Sequence, residues 1–168
     1  MHIKMNTLVS IDVMEGKVDG DFNKLTEILL DGYGYKGSSN PLSTKYEDSY
    51  CPQRSPIVDD ILGKIVDDFY KFTKNKVVVD ECWGHIHEKN MSTQLHSHSG
   101  SFASGVVYIR VPKGSGNIVF VPNIIDTAFS FPPERGRYYI FPGYLDHYVT
   151  RNNSDEMRVS LSFNLQRN

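Results

Sequence analysis

The spacing of apolar residues changes near Lys76: upstream they recur every third or fourth position, downstream every second. "GDFNKLTEILLDG" predicts a short helix. Asp21 can cap it, Phe22, Leu25 and Leu29 fall on one face, and Gly32 can end it. "SPIVDDILGKIVDDFYKFTKN" predicts a longer one. Ser55 suits the N-cap, and Pro56 suits the first helical position, where no N–H is needed. Val58, Ile61, Leu62, Ile65, Phe69 and Phe72 recur at helical spacing, so one face should lie on a core. Residues 32–54, between the helices, are rich in Gly, Ser, Pro and Tyr. They read as a long loop, either a cover over a site or an ordinary surface excursion.

Beyond Lys76, "KVVVDECWGHIHEK", "ASGVVYIRV", "NIVFV", "RYYIF" and "MRVSLSFNL" are strand candidates, with "PKGSG" and "PPERG" as turns. The last alternates cleanly. Met157, Val159, Leu161, Phe163 and Leu165 form one face, and Arg158, Ser160, Ser162 and Asn164 the other. Helices that need a partner for an apolar face, followed by five or more short antiparallel strands, point to a helix-backed β-sandwich or open barrel. The apolar face of the last strand would meet the helix face Val58–Phe72, and its polar face would look into the barrel.

Bulk properties narrow the function classes. The 168 residues suffice for one domain with a real core and are too few for two ordinary ones. A net charge of −2 and a pI near 6.3 give no basic excess for nucleic acid or anionic lipid. No apolar run approaches the ~18 residues of a membrane span. The opening residues lack a signal-peptide layout, so a cytoplasmic location is expected. Cys51 and Cys82 are unclustered, as free thiols would be, and make no zinc pattern.

The candidate chemistry lies in three places. His96 and His98 share a face if their segment is extended, and can converge on one ion if it is a tight loop; alone, the pair also fits a polar surface loop. His147 follows a strand and the turn "PGYLD". Arg158 lies on the polar face of the last strand with no carboxylate as an obvious strand neighbour. If buried it must be paired. A ligand carboxylate would satisfy it with two parallel hydrogen bonds, and Ser160 could donate a third; otherwise that face is simply wet. His85 and His87 share the parity of Trp83 and either line a pocket, support a ligand from behind, or are satisfied core groups. Tyr108 shares a face with Ser104, Val106 and Arg110. Gly105 suits close packing, Gly114 and Gly116 read as turn residues only, and Asp126, Glu134 and Arg135 as solvated loop residues. Asp146, next to His147, should point to the opposite face.

Taken in order, His-X-His, a histidine 49 residues later and Arg-X-Ser eleven further on resemble the iron(II)- and 2-oxoglutarate-dependent oxygenases. Those share a double-stranded β-helix (a jelly-roll, cupin-like fold), a His-X-Asp/Glu pair, a distal histidine, and a basic residue near the last strands that grips the co-substrate's 5-carboxylate. "WGHIHEKNMSTQLHSHSGSFASGVVYIRVPKGSGNIVF", "RGRYYIFPGYLDHYV" and "RVSLSFN" are similar to small oxygenases of marine bacteria and T4-like phages of cyanobacteria, over about residues 78–166. The resemblance implies one oxygenase domain, with residues 1–75 as N-terminal support and lid loop and 76–168 as the β-helix core. It implies that His96, His98 and His147 hold Fe(II), that Arg158 with Ser160 anchors 2-oxoglutarate, and that Tyr108 touches it. With O2, 2-oxoglutarate would be decarboxylated to succinate while a substrate C–H bond is hydroxylated.

One departure is that His98 stands where the family has a carboxylate. Three imidazoles leave the centre at +2 instead of +1, to be neutralised by the 2-oxoglutarate dianion, and suit zinc as readily as iron. The substrate is not legible. Small molecules and proteins fit, and the lack of positive charge counts against tightly held nucleic acid. Two other readings stay open: a cupin-type three-histidine metalloenzyme that needs no 2-oxoglutarate, and a β-sandwich binding module without catalysis.

Overall fold

The computed structural model describes residues 10–36, 55–124 and 126–168. After a short strand β1 (Met14–Lys17) comes α1 (Phe22–Lys36). Asp21 Oδ1 accepts the Lys24 N–H at 3.0 Å, which is the N-terminal cap expected of it. The helix runs through Gly32 to Lys36, so Gly32 does not end it. A helical glycine costs about 1 kcal/mol but does not by itself break the hydrogen-bond ladder. The remainder of the expected loop, 37–54, and the lid placed there lie outside the described residues.

The second helix, α2 (Pro56–Thr73), begins as expected, with Ser55 extended and Pro56 in the first turn. It closes on Lys74 in the left-handed region (φ 61°), whose N–H bonds to Tyr70 O. Val58, Ile61, Leu62, Ile65 and Phe69 are buried. Phe72, expected on the same face, is 80% exposed, because it sits in the last turn where the helix leaves the core.

The other strands are β2 (Val77–His87), β3 (Thr93–His96), β4 (Ala103–Arg110), β5 (Ile118–Phe120), β6 (Phe129–Phe131), β7 (Arg137–Pro142), β8 (His147–Val149) and β9 (Arg158–Arg167). They form two antiparallel sheets, one ordered β1-β7-β4-β9-β2 and the other β3-β8-β5-β6. This is the double-stranded β-helix, with both helices packed on the outer face of the five-stranded sheet.

β9 divides the molecule as its alternation predicts. Val159, Leu161, Phe163 and Leu165 join the helix residues in one core, with Met157 packed at its edge. Arg158, Ser160, Ser162 and Asn164 are also buried, because the second sheet covers that face. At Gly105 a Cβ would stand 2.3 Å from Phe163 Cζ, so the missing side chain lets Phe163 lie across β4. A second apolar cluster fills the space between the sheets, built on Val106, Ile118, Phe120, Tyr139, Phe141 and Leu145. Among the described residues, no helix is long and apolar enough to cross a membrane.

Candidate active site

His96 and His147 stand opposite each other in the β3–β8 ladder, so strand register alone brings their rings to 4.3 Å between centroids. His98 lies two residues past β3, in a loop clasped to the β7–β8 turn. Its N–H donates to Gly143 O at 2.7 Å, and its carbonyl accepts the Ser101 N–H at 2.8 Å. A Cβ on Gly143 would lie 2.2 Å from Ser101 O and 2.7 Å from His98 O. Only glycine allows that approach, which carries the His98 ring to 5.0 Å from His96 and 5.3 Å from His147. The ligand nitrogens of the three histidines all lie within 4.8 Å of one another.

Two of these rings have fixed tautomers. His96 Nδ1 is 2.8 Å from Gln94 O, and His147 Nδ1 is 3.0 Å from Leu145 O. A carbonyl only accepts, so each Nδ1 carries a proton, and in the neutral ring each Nε2 then keeps its lone pair. That is the arrangement a metal requires of imidazole. Asp146 turns away, as its parity predicts, and accepts from Asn123 Nδ2 at 3.0 Å. No carboxylate belongs to the cluster among the described residues.

The facing wall comes from three strands of the larger sheet, in register. His87 is opposite Arg158; Ser160 sits between His85 and Tyr108; Ser162 sits between Trp83 and Val106. These residues, apart from His87, line one pocket together with the three histidines. The sequence-predicted site residues His96, His98, Tyr108, His147, Arg158 and Ser160 are therefore all brought to the same cavity.

Arg158 is 1% exposed, and it is not unpartnered as its sequence neighbours suggest. Its Nη1 donates to the carbonyls of Ser115 (2.9 Å) and Gly116 (3.4 Å), and its Nη2 donates to His87 Nδ1 at 2.7 Å. Its Nε, also buried, has no partner. Three of the five guanidinium hydrogens are thus engaged, which leaves the Nε hydrogen and one on Nη2. Gly116 is more than a turn residue. Its φ of +83° and the carbonyl of Thr150, 2.3 Å from where a Cβ would stand, fix the loop that presents its own carbonyl to Arg158.

The surroundings keep the histidines of the wall neutral. Burial, then the charge of Arg158, pushes His87 down to about 2 and His85 to about 3. Burial, then His96, pushes His147 to about 3. Burial pushes the Tyr108 phenol up, so it stays protonated. His85 Nε2 accepts the Trp83 indole N–H at 3.2 Å. Thr93, Ser115 and Asn152 carried no local signal in the sequence. Buried Asn152 nevertheless donates to the carbonyls of His87 (2.8 Å) and Glu156 (2.9 Å), tying the end of β2 to the approach to β9. Asp126 is exposed as expected. Glu134 and Arg135 are solvent-accessible too, Glu134 pairing at the surface with Lys17 and Arg137 and exposed Arg135 lying over the Phe22 ring.

These depressed values set an expectation for acid stability. Unfolded histidine titrates near 6.5. Below that pH the unfolded chain takes up protons that the folded one excludes, so stability is complete above about 6.5 and falls as pH drops. Each fully buried neutral histidine contributes up to about 1.4 kcal/mol per pH unit, and partly exposed His85 less. The melting temperature of metal-free protein should fall steadily from pH 6.5 to 5. A flat profile over that range would show that these rings are not held neutral.

Comparisons place this geometry among known proteins. The family model described as "Putative 2OG-Fe(II) oxygenase" matches residues 81–130 and 125–164, together half of the chain. The fold is similar to a 2OG-Fe(II) oxygenase family oxidoreductase from Burkholderia pseudomallei, with TM-score 0.58, 18% identity, and 68% of this chain and 60% of that one covered. It is similar to the non-heme alpha ketoglutarate dependent carbocyclase SnoK from nogalamycin biosynthesis, with TM-score 0.73, 12% identity, and 92% and 79% covered. It is also similar to a Pseudomonas putida prolyl-4-hydroxylase, with TM-score 0.63, 12% identity, and 93% and 88% covered. No curated protein matches. The family match covers all three histidines and the arginine, on a double-stranded β-helix, and on it the chain belongs to the 2OG-Fe(II) oxygenases.

Proposed function

We propose that His96, His98 and His147 hold iron(II), that Arg158 anchors the far carboxylate of 2-oxoglutarate, and that the protein hydroxylates a small molecule or a protein side chain. The observation that carries this reading is a pairing across one pocket. Three imidazoles converge on one side, and a buried arginine with a partnerless Nε–H lines the other. Both halves fit what they would bind. Two imidazoles offer Nε2 lone pairs by fixed tautomer. The guanidinium has two hydrogens to spare, which a carboxylate accepts in parallel.

The family's cofactor set is iron(II), 2-oxoglutarate and O2, and it supplies the oxidising chemistry, in which 2-oxoglutarate loses CO2 to give succinate. The protein's part is placement. His96 and His147 are pinned by sheet register, and His98 by the Gly143 contact. Arg158 sets the depth to which a dicarboxylate enters, with Ser160 and Tyr108 beside it in the β-ladder. Phe120 and Phe141 pack against the His147 ring and keep water from that side.

The test is succinate formation by protein reconstituted with Fe(II) and exposed to O2 and 2-oxoglutarate. Iron-loaded protein should release succinate, and zinc-loaded protein none. A hydroxylated product gains one oxygen atom and a cyclised one loses two hydrogens, so mass decides between the outcomes that the prolyl-4-hydroxylase and the carbocyclase represent. Because no carboxylate joins the three histidines, a cupin-type centre is the second reading. Substrate oxidation that proceeds without 2-oxoglutarate would select it.

A further inference from the structure

We propose that His87 is a positioning residue for the co-substrate's carboxylate: an uncharged acceptor that fixes the orientation of Arg158 and leaves its positive charge to the ligand. This rests on the reading of Arg158 as the anchor. The hydrogen-bond partners of the buried guanidinium are the His87 ring and the carbonyls of Ser115 and Gly116, all neutral. A buried arginine is more often held by a carboxylate, which would orient it as well but would cancel its charge. With His87 in that role, the guanidinium is held on three hydrogens and stays a full cation toward the pocket.

The chemistry of the contact fixes the histidine's state. Arginine N–H groups only donate, so His87 Nδ1 must offer a lone pair at the 2.7 Å contact. The ring proton therefore sits on Nε2, which donates to Thr93 Oγ1 at 2.9 Å. Both His87 and Thr93 are buried, 0% and 2% exposed. Thr93 begins β3, the strand that ends in His96. The chain Thr93–His87–Arg158 thus ties the position of the carboxylate anchor to the strand that carries a candidate metal ligand. A protonated His87 would lose its acceptor and face Arg158 as a second cation, which fits the strong depression of its titration.

Four variants separate orientation from charge: His87→Gln, His87→Leu, His87→Glu and Thr93→Val. The readouts are the 2-oxoglutarate Kd by calorimetry on anaerobic Fe(II)-loaded protein, the iron content, and the melting temperature. His87→Gln keeps a neutral acceptor and should bind within about threefold of the parent. His87→Leu removes it and should bind about tenfold more weakly. His87→Glu orients Arg158 but neutralises it, and should bind more weakly still. Thr93→Val should fall between Gln and Leu. Iron content should stay unchanged throughout. Nitrogen NMR of the unsubstituted protein should show one neutral ring protonated on Nε2 from pH 5 to 8 and assigned to His87 by its loss in His87→Gln. Parent-like binding by His87→Glu, or a ring protonated on Nδ1, overturns the proposal, and neither depends on whether His87→Leu folds. If Arg158→Ala itself binds 2-oxoglutarate normally, the anchor lies elsewhere and the inference falls with it. If Arg158→Ala fails to bind while His87→Glu binds normally, the anchor stands and the role of His87 alone is lost.

Discussion

Purified His147→Ala and His96→Ala proteins should contain no bound iron. Each removes one of the two imidazoles that strand register places opposite each other, and whose tautomers are fixed by the carbonyls of Leu145 and Gln94. Changes to groups that merely support a metal ligand cost about 10- to 100-fold in metal affinity. Loss of a ligand itself from a three-ligand set should exceed about 100-fold, enough to strip a labile divalent ion during purification. The fold should survive, because the helix-backed core on the other side of the larger sheet contains none of the three histidines. His98→Ala is the sharper member of the set. The position of His98 depends on a loop held by the Gly143 contact, not on a strand. Metal analysis of the three variants should give the same loss in each. Iron content and succinate formation both intact in His98→Ala would remove His98 from the ligand set.

Arg158→Ala should weaken 2-oxoglutarate binding by roughly 30- to 4000-fold, the range that corresponds to about 2–5 kcal/mol for truncating one partner of a buried charged pair. Iron should still bind, since Arg158 shares no hydrogen bond with the three histidines. The truncation also leaves His87 Nδ1 and two buried carbonyls without their donor, so the melting temperature should drop as well. Arg158→Lys separates the two effects. It restores charge without the planar fork, and should recover only part of the affinity. Equal loss of iron and 2-oxoglutarate in Arg158→Ala would indicate a folding defect, and unchanged 2-oxoglutarate binding would move the anchor to another residue.

What could be read from the sequence depended on the length of the pattern. β9 is ten residues long and buried on both faces, one against helices and one against the pocket, so its alternation separated core from site before any geometry was known. The starts of both helices were legible from Asp21 and Pro56, where the residue's own chemistry sets the boundary, while Ser55 takes the N-cap position without a side-chain cap hydrogen bond. The end of α1 was not, because Gly32 permits termination without imposing it. β3, β6 and β8 span four, three and three residues, too short to show a period, so the strands that seat His96 and His147 were invisible although the histidines were not. The environment of Arg158 was the largest gap. Its partners lie 42, 43 and 71 residues away in sequence and meet it only through the β2–β9 register and the Ser115–Gly116 turn. Parity placed His87 on the same wall as Trp83 and His85, but which residue it would face is a property of strand pairing.

A crystal structure of the Fe(II)-loaded protein, grown without oxygen in the presence of N-oxalylglycine, the inert analogue of 2-oxoglutarate, tests the proposed site most directly. One iron should be bound by a nitrogen from each of His96, His98 and His147, with the analogue's oxalyl end on the metal and its far carboxylate on Nε and Nη2 of Arg158. An iron held by a protein carboxylate or lacking His98, or an analogue whose far carboxylate leaves Arg158 Nε unpaired, would contradict it.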